Sequence, residues 1–203
     1  MKNVLTTAHL FELESIANPV LSPSNEEGIF IRTKINEEDN KYYSNLFHIH
    51  IETKEITQWT FGKERISNAT WSPDGKKVAF VSNRSEKNQL YIVNKNGGEA
   101  EQVTFLAGGV NNYLWNNCGT KIWLSSSVKV DKKLGDEAEK DEKKFPKAYV
   151  VDQMKHKMDG AGGEGLRPQD SYSQIGVLNL ADKSLKQFTE GNYQHQLIAT
   201  SND

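Results

Sequence analysis

One three-residue signature occurs three times in this chain. Gln58-Trp59-Thr60, Gln102-Val103-Thr104 and Gln187-Phe188-Thr189 each hold a bulky apolar residue between a glutamine and a threonine. Each threonine lies fourteen residues after the aliphatic residue that opens an apolar run, Leu46, Leu90 or Ile175. Thr60 and Thr104 are 44 residues apart, and so are Trp71 and Trp115. Two landmarks sharing one period define a repeated unit of about forty residues, and a unit that small buries its apolar faces only by stacking on copies of itself.

The middle copy, residues 66–104, is the most regular. Residues 66–71 form a short apolar run that Ser72-Pro73-Asp74-Gly75 must break. Pro73 presets its own backbone angle and lacks a donor, while Gly75 tolerates positive φ. Residues 78–82 are β-branched and aromatic, polar residues 83–88 read as a second turn, and residues 90–93 give a third strand. Asn96-Gly97-Gly98 is a hairpin signal before a fourth strand at residues 101–104. Four antiparallel strands in this span are the unit of a β-propeller. The expected fold is therefore all-β, a partial β-propeller of about three four-stranded antiparallel blades.

The first unit spans about residues 20–60, with Leu21-Ser22-Pro23-Ser24-Asn25 standing where the second has Trp71-Ser72-Pro73-Asp74-Gly75. The third spans about residues 110–189, with Asn116-Asn117-Cys118-Gly119 at the turn. It is longer than a single period, and the excess falls between its second and third strands, about residues 126–173. That insertion begins with a mixed charged run, residues 129–147, of the kind that forms a solvated excursion. Residues 1–19 are expected as a separate N-terminal helical segment. Leu10, Leu13 and Ile16 recur at helical spacing after Thr6-Thr7, and Asn18-Pro19 stops the pattern.

Formal charge narrows the partners. With 25 Lys and Arg against 27 Asp and Glu, the net charge of −2 makes no case for nucleic acid or an anionic membrane. No stretch approaches the roughly 20 apolar residues of a membrane span, and none near the start resembles a secretory signal. A single cysteine, Cys118, excludes an intrachain disulfide framework and fits a reducing compartment, so the expected location is cytoplasmic. Asn68-Ala69-Thr70 matches a glycosylation sequon, read here as coincidence.

Several residues invite chemistry. Gly160-Ala161-Gly162-Gly163-Glu164-Gly165 fits GxGxxG, but no helix pattern follows to supply amides to a pyrophosphate, so a loop is the better reading. His48 and His50 share a strand face, as metal ligands can, yet they occupy the places of Ile92 and Asn94, which are packing positions. Trp59, Trp71, Trp115 and Trp123 hold fixed places in the repeat and read as packing between blades rather than a carbohydrate platform. Cys118 has no histidine beside it in sequence to activate it as a nucleophile. The nucleophile elbow G-x-S-x-G is absent, and His9, His48, His50, His156 and His195 belong to no spacing that suggests a triad. No catalytic residue, cofactor site or metal site is expected.

The segment running from Leu10-Phe11-Glu12-Leu13-Glu14 to Asn18-Pro19-Val20-Leu21-Ser22-Pro23 resembles the propeller of the prolyl oligopeptidase family. So does the run from Trp71-Ser72-Pro73-Asp74-Gly75 to Val78-Ala79-Phe80. The acylaminoacyl-peptidase branch is the most similar, because Asp159-Gly160 and Gln187-Phe188-Thr189 match the layout of its third blade. The resemblance implies a serine peptidase whose propeller caps an α/β-hydrolase domain and restricts entry to small peptides. The serine, aspartate and histidine of such an enzyme lie outside these residues, so the chain alone is expected to be inactive. Its expected partners are that hydrolase domain, the peptide substrates of the parent enzyme, and further copies of itself through open blade faces. TolB-like propellers share the WSPDG unit, so a protein-interaction scaffold is the alternative function.

Overall fold

The computed structural model of the chain describes residue 6, residues 8–136 and residues 170–200. The GxGxxG stretch, His156 and the larger part of the insertion lie outside the described residues. A short helix, α1 (His9–Glu12), precedes twelve strands in three four-stranded antiparallel sheets. The first sheet is β1 (Glu14–Leu21), β2 (Glu27–Asn36), β3 (Lys41–His50) and β4 (Ile56–Gln58). The second is β5 (Ile66–Trp71), β6 (Lys77–Ser85), β7 (Lys87–Asn94) and β8 (Glu101–Gln102). The third is β9 (Asn112–Trp115), β10 (Lys121–Lys129), β11 (Ser171–Asn179) and β12 (Leu185–Gln187). In each sheet the strands lie side by side in sequence order, the meander of a propeller blade. Among the described residues no helix is long and apolar enough to cross a membrane.

The repeated signature proves to be a hydrogen-bonded clasp between the third and fourth strands. The Leu46, Leu90 and Ile175 amides each donate to the hydroxyl of the threonine fourteen residues on, at 2.9, 2.8 and 2.8 Å. That hydroxyl donates in turn to Asn45 Oδ1, Gln89 Oε1 or Gln174 Oε1 at 3.3, 2.8 and 2.8 Å. The glutamine two residues before each threonine folds over to donate to its carbonyl at 2.8, 2.7 and 2.7 Å. The fourth strand is two or three residues long, too short to hold itself by ladder bonds alone. Side chains complete what the ladder lacks, because a buried amide must find an acceptor.

Alternation along the strands then sets the stacking. On β6, Val78 and Phe80 face the first sheet, in a cluster with Ile29, Ile31, Leu46 and Trp71. Ala79 and Val81 face the third, in a cluster with Tyr113, Trp115, Ile122 and Leu124. The second sheet is thus buried on both faces, as a blade between blades must be. The first strands converge: Asn68 Nδ2 on β5 donates to Asn112 Oδ1 on β9 at 2.9 Å, and the Tyr113 hydroxyl to the Asn68 carbonyl at 2.5 Å. Asn112 Nδ2 continues to the Leu197 carbonyl at 3.1 Å, so the polypeptide beyond the third sheet joins the same line. Between the second and third sheets the chain passes close to both. A Cβ on Gly108 would stand 1.7 Å from the Ser127 carbonyl oxygen, so only glycine fits there.

Three expectations are corrected. The N-terminal helix covers only His9–Glu12, and Glu14–Leu21 is a strand of the first sheet rather than the end of a helix. Pairing from Glu14↔Lys34 to Leu21↔Gly28, with an ion pair from Arg32 Nε to Glu14 at 2.5 Å, outweighs the helical spacing of Leu10, Leu13 and Ile16. Asn18, at φ 53°, and Pro19 form a bulge within that edge strand, where proline is tolerated. Residues 83–88 are no simple turn: β6 and β7 continue around Glu86, whose φ is 67°. The arms of the third sheet likewise pair as far as Lys129↔Ser171, so the inserted segment leaves the sheet later than residue 126 and returns before residue 173.

The divergent turns keep one conformation by different chemistry. Gly75 at φ 68° follows Ser72, whose hydroxyl donates to Asp74 at 2.6 Å and accepts from the Lys77 amide at 2.9 Å. In the third unit Gly119 has φ 67°, and Asn116 Oδ1 takes the Lys121 amide at 2.8 Å in place of the serine. In the first, Asn25 supplies the left-handed residue at φ 60°.

Candidate functional site

The bulges at Asn18 and Asn68 shape the place where the first two sheets meet. Asn18 Oδ1 accepts from the Ala69 amide at 2.6 Å, which ties β1 to β5. Beside this tie lies a groove of about 560 Å³ whose walls include Asn18, Arg65, Ser67, Asn68, Asn83 and Asn88. Across it, the Thr33 and Ser44 hydroxyls are hydrogen-bonded at 2.8 Å. Arg65 is fixed through its backbone: its amide donates to Asn83 Oδ1 at 2.8 Å, and its carbonyl accepts from the Asn83 amide at 3.3 Å. Its guanidinium sits 5.7 Å from the centre of the Tyr42 ring. The result is a groove that combines amides, hydroxyls and one cation with the apolar Ala17, Ile31 and Ile66. Such a surface can pair with the main chain of an extended peptide, which offers the same donors and acceptors.

His48 stands in the seam between the first and second sheets. It stacks on Trp59 with centroids 4.8 Å apart, and its edge faces Trp71 at 6.5 Å. Its Nε2 lies 3.6 Å from Glu27, whose other carboxylate oxygen is 2.6 Å from Lys95 Nζ across the seam. Burial holds the His48 imidazole below the ordinary histidine value of 6.5, against the opposing pull of Glu27 and with smaller contributions from Lys95 and His50. The unfolded chain therefore takes up a proton that the folded chain resists. The stability this provides is present above about pH 6.5 and falls as the pH drops below it. A His48→Gln variant should show a shallower loss of thermal stability between pH 7 and pH 5 than the parent; an unchanged slope would place the proton uptake elsewhere.

The remaining candidates are dispersed. His50 Nδ1 accepts from the Thr53 amide at 3.4 Å, His9 bonds Thr6, and His195 donates its amide to the Ser173 carbonyl at 3.0 Å. Cys118 is exposed at the tip of the third unit's turn. Among the described residues, no three His, Cys, Asp or Glu side chains gather as a metal-binding group. Trp71 lies between the first two sheets and donates Nε1 to the Val20 carbonyl at 3.3 Å, and Trp115 is buried between the second and third. Trp123 differs. With Ile175 and Phe188 it lines the outward face of the third sheet, at positions where Ile29, Leu46 and Trp59 cover the second sheet. There Phe188 remains 69% exposed and Ile198 80%.

The asparagine groove escaped sequence reasoning because its residues come from separate strands and from loops, at spacings no motif records. The signal available was the pair of asparagines in strands, Asn18 and Asn68, since asparagine is disfavoured there unless a bulge needs it.

Residues 22–124 match the family described as the dipeptidyl peptidase IV (DPP IV) N-terminal region. The chain is 28% identical over 204 residues to a protein named "Uncharacterized peptidase YuxL" from Bacillus subtilis (strain 168), an alignment covering 100% of this chain and 30% of that protein. The chain thus spans less than a third of that relative's length. The fold is similar to that of Pyrococcus horikoshii acylaminoacyl peptidase, with a TM-score of 0.62 at 17% identity over 88% of this chain and 25% of that one. It is also similar to a putative TolB from Agrobacterium tumefaciens, with a TM-score of 0.51 at 17% identity over 86% of this chain and 48% of that one.

Proposed function

This chain belongs to the family of dipeptidyl peptidase IV N-terminal regions, as a prolyl oligopeptidase-family N-terminal propeller, and from that membership we propose that it serves as the access-controlling part of a serine peptidase. Its work is steric. Blades locked by threonine clasps and buried seams form a wall that admits extended peptides and holds folded chains away from a serine carried by a separate α/β-hydrolase domain. The observation that carries this reading is the alignment of the whole chain with less than a third of a peptidase, which leaves that relative ample length for a catalytic unit. The site of action proposed is the cytoplasm.

The test is a length series presented to the polypeptide that contains both units. Cleavage of short acyl-peptides that falls steeply with length, and fails on a folded protein carrying the same sequence in a loop, is the expected result. Equal cleavage of short peptides and folded protein would contradict it. The same chain on its own should hydrolyse none of them.

A second reading, an interaction scaffold, is favoured by one specific observation: the outward row of Trp123, Ile175 and Phe188 on the third sheet. In the first two sheets the same row is covered by the next blade, so under this reading its proposed occupant is the blade face of a second copy. A Phe188→Glu variant that sediments as the parent does would count against self-association.

A further inference from the structure

The three described arginines are treated differently by the fold. Arg32 donates to Glu14 at 2.6 Å, and Arg84 lies over Phe80 and Tyr91 and donates to Ser82 Oγ at 3.3 Å. Arg65 is one of the residues lining the groove between the first two sheets; its guanidinium rests against the exposed Tyr42 ring and donates to no acceptor among the described residues. No carboxylate lines that groove. Among the nearby acidic side chains, Asp39 bonds the Tyr43 hydroxyl and lies 3.8 Å from Lys63.

We propose that Arg65 and the surrounding asparagines form a docking point for the C-terminal carboxylate of a peptide. A guanidinium presents five donors in a planar fork that matches a carboxylate. The Tyr42 ring lies 5.7 Å from the guanidinium, and Arg65 is otherwise exposed to incoming acceptors. Arg65 is the one cation among the residues lining the groove, which suits a monoanion; Asn68, Asn83 and Asn88 line the same groove, and the groups that Asn68 and Asn83 do not spend on Asn112 and the Arg65 amide can meet the amides that precede a C-terminus. The inference rests on the peptide-access reading for why peptides reach this groove, and it adds that the groove distinguishes free C-termini from blocked ones.

The probe is the peptide Ala-Ala-Ala-Phe as the free acid and as its C-terminal amide, titrated against the full 203-residue chain and its Arg65→Gln variant by calorimetry. The acid should bind the parent chain about two- to fivefold more tightly than the amide does, as expected for an exposed guanidinium–carboxylate pair screened by water. Arg65→Gln should abolish that preference and leave binding of the amide unchanged. Because Arg65 is exposed, the variant should melt as the parent does, and Arg65→Lys, which keeps the charge without the fork, provides a second variant expected to recover only part of the preference. Equal binding of acid and amide overturns the carboxylate docking while leaving length-dependent access intact. Binding of neither peptide overturns it as well, and the access reading is then decided by the length series alone.

Discussion

Replacing Thr104 by valine should lower the free energy of unfolding by about 2 to 3 kcal/mol, although the side chain keeps its shape and its preference for strands. Thr104 is 4% exposed, and its hydroxyl is the acceptor for the Leu90 amide and a donor to Gln89 Oε1. Valine leaves the amide buried with nothing to replace the lost acceptor, and an unsatisfied buried donor costs more than the net worth of the bond it made. Gln89 retains the Leu106 amide at 3.1 Å, so the loss falls mainly on the backbone. Thr189→Val provides the comparison. It removes the same bonds at a partly exposed position, where water substitutes, and should cost about half as much. Urea unfolding with an unchanged m-value measures both; a loss below about 0.5 kcal/mol for Thr104→Val would deny the clasp its role.

The second large effect belongs to Leu134, in the segment that leaves the third sheet. In the first two sheets a stacked aromatic pair occupies one face, Phe30 with Phe47 and Phe80 with Tyr91. Register places Leu124 and Gly176 at the corresponding positions of the third. Gly176 leaves a vacancy in the row, and Leu134 fills it: a Cβ on Gly176 would stand 2.2 Å from Leu134 Cδ2. Tyr91 donates its hydroxyl to Gln102 Oε1 at 2.9 Å, and the Leu134 amide gives Gln187 Oε1 the same service at 2.7 Å. Thus the inserted segment is pinned to the blade core by a leucine that replaces a missing ring. Leu134→Ala should destabilise by about 3 kcal/mol, the usual scale for a truncated buried leucine. Gly176→Ala should be harmful in the parent and less so beside Leu134→Ala, because the 2.2 Å contact with Leu134 is gone and only the 3.1 Å approach to the Lys186 carbonyl remains. A thermodynamic cycle that found the two substitutions additive would separate Leu134 from the Gly176 vacancy.

The repeat was readable because its physical basis is local. The fourteen-residue spacing is the length of a hairpin whose two ends meet in the clasp, so Leu46, Leu90 and Ile175 stand at one distance from Thr60, Thr104 and Thr189 although the turns and insertions between units differ. The strand at Glu14–Leu21 was not, because Leu10, Leu13 and Ile16 suit a helix equally well and only pairing with β2 decides the matter. Leu134 was hidden for a different reason. It stands in a charged run that reads as solvated, and what makes it a core residue is a glycine 42 positions away. Arg65, Asn68, Asn83 and Asn88 lie on or beside neighbouring strands of the second sheet and meet Asn18 of the first, an arrangement of strand pairing and sheet contact that one-dimensional spacing does not encode.

The central claim is that the three sheets form one cooperative body because each is sealed by its neighbour. Native-state hydrogen exchange at the Leu46, Leu90 and Ile175 amides, in the parent and in Thr104→Val, tests this directly, since those amides sit in equivalent clasps of different sheets. A substitution in the middle sheet should lower the protection of all three amides by a similar factor. If Leu90 alone exchanged faster while Leu46 and Ile175 kept their original protection, the sheets would be independent and the account would be wrong.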